Sequence, residues 1–156
     1  MNAPDATHLR ILLLLPTARD ASLTQAILED NDLHAHACHD VADLRAQVAR
    51  GAGAVLVGEE ALVTGGLTQA LADLVEHQPP WSDLPVLLLT RAGADSLVVG
   101  DAVAMLGNVT LLERPMRVSA LLSALRSALR ARLHQYEIQA HLLQLERARA
   151  APSAGR

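Results

Sequence analysis

Short apolar runs alternate along the chain with stretches in which apolar residues recur every three or four positions. The run from Leu9 to Leu15 stops at Pro16 and predicts a strand buried on both faces. Arg19 to Asp30 carries Leu23, Ala26, Ile27 and Leu28, a helical stripe. Leu33 to Cys38 alternates and predicts a second strand. Asp40 is placed to cap a helix over Val41–Ala49, with Val41, Leu44 and Val48 at helical spacing. Gly51-Ala-Gly53 is a turn before a third strand at Ala54–Val57. Leu67–Val75 repeats the helical stripe, residues 79–83 form a loop, and Pro85–Leu89 is a fourth strand. Asp95 can cap a helix through Met105 that Gly107-Asn108 ends. Val109–Leu112 is a fifth strand, and a long helix follows Pro115.

Five strand–helix alternations imply an α/β fold with a parallel sheet covered on both faces. Right-handed crossovers then give a flavodoxin-like (βα)5 sheet of order 2-1-3-4-5, extended by its last helix. The chain divides into a flexible leader (1–8), a domain (9–130), a helical extension (131–150) and a breaker-rich, disordered tail (151–156). Its 156 residues suffice for one proper core.

That core must be aliphatic, since the chain has no Phe, one Trp (Trp81) and one Tyr (Tyr136). Few aromatic platforms remain for stacking bases. A formal net charge of -4 argues against a general nucleic-acid or membrane-surface binder. The single cysteine, Cys38, rules out an intramolecular disulfide and fits a reducing compartment. The N-terminal apolar run is too short to span a bilayer, so a cytoplasmic protein is expected.

In an open parallel sheet, function sits beyond the carboxyl ends of the strands. The positions that matter therefore follow Leu15 and Val57 and include Thr90 and Arg114. Leu84-Pro-Val-Leu-Leu-Leu-Thr90 followed by Val109-Thr-Leu-Leu-Glu-Arg-Pro115 resembles the last two strands of the receiver domains of bacterial response regulators. The resemblance spans roughly Leu9 to Leu129. In that family the first strand ends in two acids that hold Mg²⁺, the third in a phospho-acceptor aspartate, the fourth in Thr or Ser, and the fifth in Lys-Pro. The cation neutralises the oxygens in transfer, and the fixed base pairs with the phosphoryl group.

Here Leu15 and Pro16 stand where the acidic pair is implied, and Gly58 stands at the acceptor position. A slip of one residue places Glu59 there instead, as a fixed negative charge. Asp20 lies past Pro16, in or beside the first helix. Thr90, Arg114 and Pro115 keep the receiver pattern, with a guanidinium for the ammonium. The resemblance implies a cis Arg114–Pro115 bond. Leu111 occupies the place of the family's switching aromatic. The chain thus looks like a pseudo-receiver without a phosphotransfer step, hence no enzyme and no cofactor.

Other candidates are weaker. His34, His36 and Cys38 share one face of the second strand, as metal ligands could. Neighbours on one strand face are about 6.5–7 Å apart, so the three converge poorly and no metal is expected. Gly51 and Gly53 precede a strand, unlike a dinucleotide fingerprint. Gly65-Gly66 lacks the lysine of a phosphate loop and is a flexible connection. Ser22, Ser82 and Ser96 lack a nucleophile elbow. Glu59 and Glu60 are taken as solvated loop charges.

From Leu121 to about Ala151 the chain has no Pro or Gly. Leu122, Leu125, Leu129, Leu133, Tyr136, Ala140 and Leu143 approximate a heptad seam. Such a helix runs about 45–50 Å, longer than the sheet. Its first three turns can cover the domain, and beyond Arg130 the seam is expected to pair with a second copy in a parallel homodimer. Arg126, Arg130, Arg132 and Arg147 with Glu137 and Glu146 suit a solvated outer face.

The resemblance implies a phosphorylation-independent, two-component signalling module. It would bind a histidine kinase or regulator through the face of the receiver's fourth helix, fifth strand and fifth helix. The alternatives are a phosphotransfer-competent receiver using Glu59 and Asp20, the front module of a hybrid histidine kinase, or a small α/β enzyme or ligand sensor.

Overall fold

A computed structural model describes residues 6–63, 66–91 and 97–150. The predicted helix cap Asp95, Ser96, Gly65, residues 1–5 of the leader and the 151–156 tail lie outside the described residues.

Five strands, β1 (Ile11–Leu14), β2 (Ala35–Ala37), β3 (Ala54–Gly58), β4 (Val86–Thr90) and β5 (Val109–Glu113), form one sheet of order β2-β1-β3-β4-β5. Every pairing is parallel, with Leu14 opposite Val57, Gly58 opposite Leu89 and Thr90 opposite Glu113. The expected flavodoxin-like order is the one observed. β1, β3, β4 and β5 form because their apolar runs are short and rich in Leu and Val, whereas β2 is a short alternating segment, Ala35-His36-Ala37, paired along β1.

The helices are α1 (Ala6–Leu9), α2 (Ala18–Asp30), α3 (Val41–Arg50), α4 (Glu60–Val63), α5 (Leu67–His77), α6 (Leu97–Leu106) and α7 (Val118–Ala150). Asp40 caps α3 as the sequence suggests, its carboxylate accepting from the Asp43 amide at 2.8 Å. Thr17 does the same for α2, accepting from the Asp20 amide at 3.0 Å. Strand alternation divides the core. Leu12, Leu14, Val55, Val57 and Leu88 face α3, α5 and α6 through Leu44, Leu71 and Leu106. Ile11, Leu13, Leu56, Leu87 and Leu89 face α2 and α7 through Leu28, Leu122 and Leu125. No described helix is long and apolar enough to cross a membrane.

Ala6–Leu9 is a helical turn, not loose leader, and the His8 ring stands edge-on to Tyr136 with centroids 5.0 Å apart. The predicted seam is not one surface for a second copy either. Leu122, Leu125 and Tyr136 are buried in their own domain, and Leu129 packs against the same core. A three-and-four spacing describes a stripe facing a sheet as well as a stripe facing another helix. Of the seam residues, Leu133 and Ala140 are half-buried, while Leu143 is exposed with Ile138, Leu142 and Leu145.

Its charge places Arg132 on the solvated face, yet it is only 5% exposed. Its Nε donates to the Ala52 carbonyl at 2.9 Å, and Nη1 donates to Ser82 Oγ at 2.7 Å and Gln135 Oε1 at 2.6 Å. Nη2 donates to Tyr136 Oη at 3.3 Å, and the guanidinium lies over the Trp81 and Tyr136 rings. A cation can be buried there because carbonyls, hydroxyls and ring faces replace its water. Ser82 is therefore a structural acceptor. Gly53, just before β3, has no room for a side chain: a Cβ would meet Leu129 Cδ2 and would stand 2.7 Å from the Leu9 carbonyl oxygen.

The Tyr136 hydroxyl closes this contact by donating to the Ala52 carbonyl at 3.1 Å and accepting from the Ala52 amide at 3.3 Å. Tyr136→Phe leaves that fully buried amide without the hydroxyl and costs about 1–3 kcal/mol of stability, measured by denaturant unfolding.

Candidate functional site at the carboxyl end of the sheet

Gly58 closes β3 and its neighbour Glu59 continues the pairing, the Glu59 amide donating to the Leu89 carbonyl at 2.9 Å. The space a side chain at position 58 would take is already filled. A Cβ there would stand 2.7 Å from Glu60 Oε1 and 3.2 Å from Pro16 Cδ. The carboxylate of Glu60, on the first turn of α4, thus folds back over the backbone of Gly58.

Arg114 meets it from the end of β5. Its Nη2 donates to both Glu60 oxygens at 2.8 Å and to the Leu89 carbonyl at 3.2 Å. Its Nε reaches the Thr90 carbonyl at 3.4 Å, and its amide donates to the same oxygen at 2.8 Å. The Arg114–Pro115 bond is cis, as the receiver resemblance implies. Thr90 is buried at the end of β4. Thr90, Arg114 and Pro115 are therefore brought together at Gly58, and Leu15 and Pro16 border the same site.

Glu59 lies one residue past the end of β3. Its carboxylate is buried and accepts from the Arg91 amide at 2.7 Å, with Arg91 Nε 3.5 Å away. Glu59 and Glu60 are thus held, not solvated loop charges. Asp20 is exposed in the first turn of α2. An open cleft of about 630 Å³ runs from Leu14, Leu15 and Pro16 past His39 and Asp40 to Glu60. Leu111 is 48% exposed on β5, whose other exposed residues are Thr110 and Glu113.

Burial pushes the Glu60 carboxyl up. The hydrogen bond from Arg114, one from its own backbone amide and the charges of Arg114 and Arg91 outweigh this and hold it below its ordinary value of 4.5. Burial, with the Asp43 charge second, pushes the Cys38 thiol up to about 12, so the thiol is protonated and a poor nucleophile at neutral pH. His34 is largely exposed and turned to Glu29 at 4.0 Å, apart from His36 and Cys38. A cavity of about 410 Å³ at the opposite end of the sheet includes Trp81, Arg132 and Tyr136 in its wall.

Glu60 is the functional residue that sequence reasoning missed. The signal was present: a glycine at a strand end leaves a vacancy, and a carboxylate two residues on can fill it opposite a base. The arrangement can hold a fixed carboxylate against a guanidinium. It offers no side-chain nucleophile at position 58.

No family model and no curated protein matches the sequence. Solved structures do share the fold. NtrX from Brucella abortus, solved with ADP, superposes with a TM-score of 0.66 at 19% identity, over 83% of this chain and 28% of that one. The chain thus spans little more than a quarter of NtrX. The signal receiver domain of an HD domain-containing protein from Pseudomonas fluorescens gives 0.65 at 21% identity, over 89% and 98% of the two chains. The receiver domain of a sensor histidine kinase from Pseudomonas aeruginosa, with magnesium in its active-site cleft, gives 0.63 at 19% identity, over 77% and 96%. The architecture of this chain is the receiver architecture.

The lowered Glu60 value sets a direction for pH. A carboxyl whose folded value lies below its unfolded one stabilises the fold above the unfolded value, and loses that contribution as pH falls through the folded one. Near neutral pH, Glu60→Gln lowers unfolding free energy by about 1 kcal/mol, since solvent reaches the pair. Well below pH 4.5 the two proteins converge, as urea titrations at both pH values will read.

Proposed function

We propose that the protein is a receiver-like signalling module that acts by binding a protein partner and has no phosphotransfer step. One observation carries this: the Glu60 carboxylate lies over Gly58 and is held by Arg114, so the base that would meet a phosphoryl group already has an anion. The pair is a built-in substitute for the phosphorylated state or for its unphosphorylated counterpart. In either case the module's equilibrium is set by partner occupancy. Differential affinity of a partner for two conformations is sufficient to shift a population, without covalent modification.

The receiver architecture supports placing the module in a two-component pathway, in the cytoplasm, with a histidine kinase or regulator as partner. Exposed apolar residues support the binding face: Val103 and Met105 on α6, Leu111 on β5 and Val118 on α7. Ile138, Leu142, Leu143 and Leu145 on the far end of α7 support a homodimer that begins beyond Tyr136. The seam proposed for that dimer is therefore shorter than the one read from periodicity.

Incubation with acetyl phosphate and Mg²⁺ tests the central point. The expected outcome is no stable, acid-labile phosphoprotein by intact mass; a stoichiometric adduct refutes the reading. The dimer is tested by sedimentation. A chain ending at Gln139 keeps the Arg132 and Tyr136 contacts and is expected to sediment as a monomer where the full chain sediments as a dimer; equal behaviour removes the helix end as the interface.

A further inference from the structure

On the edge strand β2 and just after it, His36 and Cys38 stand two residues apart, so their side chains share a face. Opposite them, the first turn of α3 brings in Asp43. One ligand atom from each of the three lies within 4.8 Å of the others. Sequence spacing suggested His34 as the third donor, and a single strand face made convergence poor. The fold answers that difficulty by taking the third donor from a different element.

Two further observations bear on the cluster. His36 Nε2 is buried and has no hydrogen-bond partner, the one such side-chain nitrogen or oxygen among the described residues. It stands 3.9 Å from Asp43 Oδ2, too far for a hydrogen bond. A buried imidazole nitrogen left in this way costs free energy unless something meets its lone pair or proton. Asp43, by contrast, is already oriented: Oδ2 accepts from the His39 amide at 2.9 Å and Oδ1 from Gln47 Nε2 at 3.2 Å. A carboxylate oxygen with one such bond keeps a lone pair for a cation.

We propose that His36, Cys38 and Asp43 form a zinc-binding site that ties β2 to the start of α3. The donor set selects the metal class: a nitrogen, a sulfur and an oxygen suit borderline-soft zinc, whereas calcium and magnesium take oxygen donors. Tetrahedral ligands at zinc stand about 3.3–3.6 Å apart, so side-chain adjustments of about 1 Å close the cluster. The fourth position is left for water. On binding, the Cys38 thiol releases its proton to solvent, and thiolate plus carboxylate neutralise the two positive charges of the ion. Arg10 also acts electrostatically on Cys38 and Asp43, but its guanidinium is engaged by the Gly51 and Gln47 carbonyls at 3.3 and 3.0 Å. The site is separate from the Glu60–Arg114 pair and does not depend on the proposed signalling role.

Cobalt(II) titration of the full chain tests the site, because tetrahedral cobalt bound to a thiolate gives a near-ultraviolet charge-transfer band. The band is expected to saturate at one equivalent, to be displaced by zinc, and to disappear in Cys38→Ser. Asp43→Asn and His36→Ala each weaken cobalt binding by about tenfold or more, while His34→Ala leaves it unchanged. Circular dichroism identifies which variants are folded. If any is not, the unaltered chain decides: one equivalent of zinc is expected to raise its thermal midpoint, as binding to the native state alone must. Absence of the band or of that rise overturns the proposal. So does undiminished binding in folded Asp43→Asn, or loss of binding in folded His34→Ala.

Discussion

The ion pair between Arg114 and Glu60, closed over the bare backbone of Gly58, is the constraint on which the carboxyl end of the sheet is built. Through it the ends of β3, β4 and β5 are held together, since the same guanidinium also serves the Leu89 and Thr90 carbonyls. Each partner needs the other. A half-buried carboxylate without Arg114 would be desolvated with little return, and a half-buried guanidinium without Glu60 would have only carbonyls to meet it. The pair in turn uses the space left by glycine at position 58, where a Cβ would stand 2.7 Å from Glu60 Oε1. Any side chain there would have to displace the carboxylate, so the bare glycine and the internal anion are one feature of the structure.

A second anchor acts at the opposite end. Arg132 and Tyr136 fasten α7 to Ala52 and the 78–84 loop, with Gln135 donating to the Asp83 carbonyl at 2.9 Å and accepting from its amide at 2.7 Å. The helix is therefore committed to its own domain for about five turns before it becomes free on all sides. From His141 to Ala150 each residue is exposed. The large apolar residues exposed there are Leu142, Leu143 and Leu145. On the edge strand β5, between the two anchors, Thr110, Leu111 and Glu113 are exposed.

Much of the candidate site was legible in advance. Thr90, Arg114 and Pro115 could be placed because each closes or follows a strand whose apolar run is unmistakable. The absence of acids at Leu15, Pro16 and Gly58 could be read for the same reason. Glu60 could not, because its role depends on the direction in which α4 leaves the strand. Arg132 was misplaced because charge alone suggests solvent, and nothing local announces that Trp81, Ser82 and Tyr136 will surround it. The His36–Cys38 pair was visible from alternation, but its third neighbour, Asp43, was hidden by the turn into α3.

By itself, then, the sequence determined the sheet, its order and the helices that cover it, since the strongly apolar runs of β1, β3 and β4 allow few arrangements other than burial between two layers. It also determined that Leu15, Pro16 and Gly58 offer no carboxylate at the strand ends. Only the tertiary structure decided which carboxylate faces Arg114, which turns of α7 belong to the domain, and which group joins His36 and Cys38. Those contacts join residues on different elements, Glu60 and Arg114 being 54 positions apart. Local pattern reports how a segment folds, whereas pairings across the chain follow from the path the whole backbone takes.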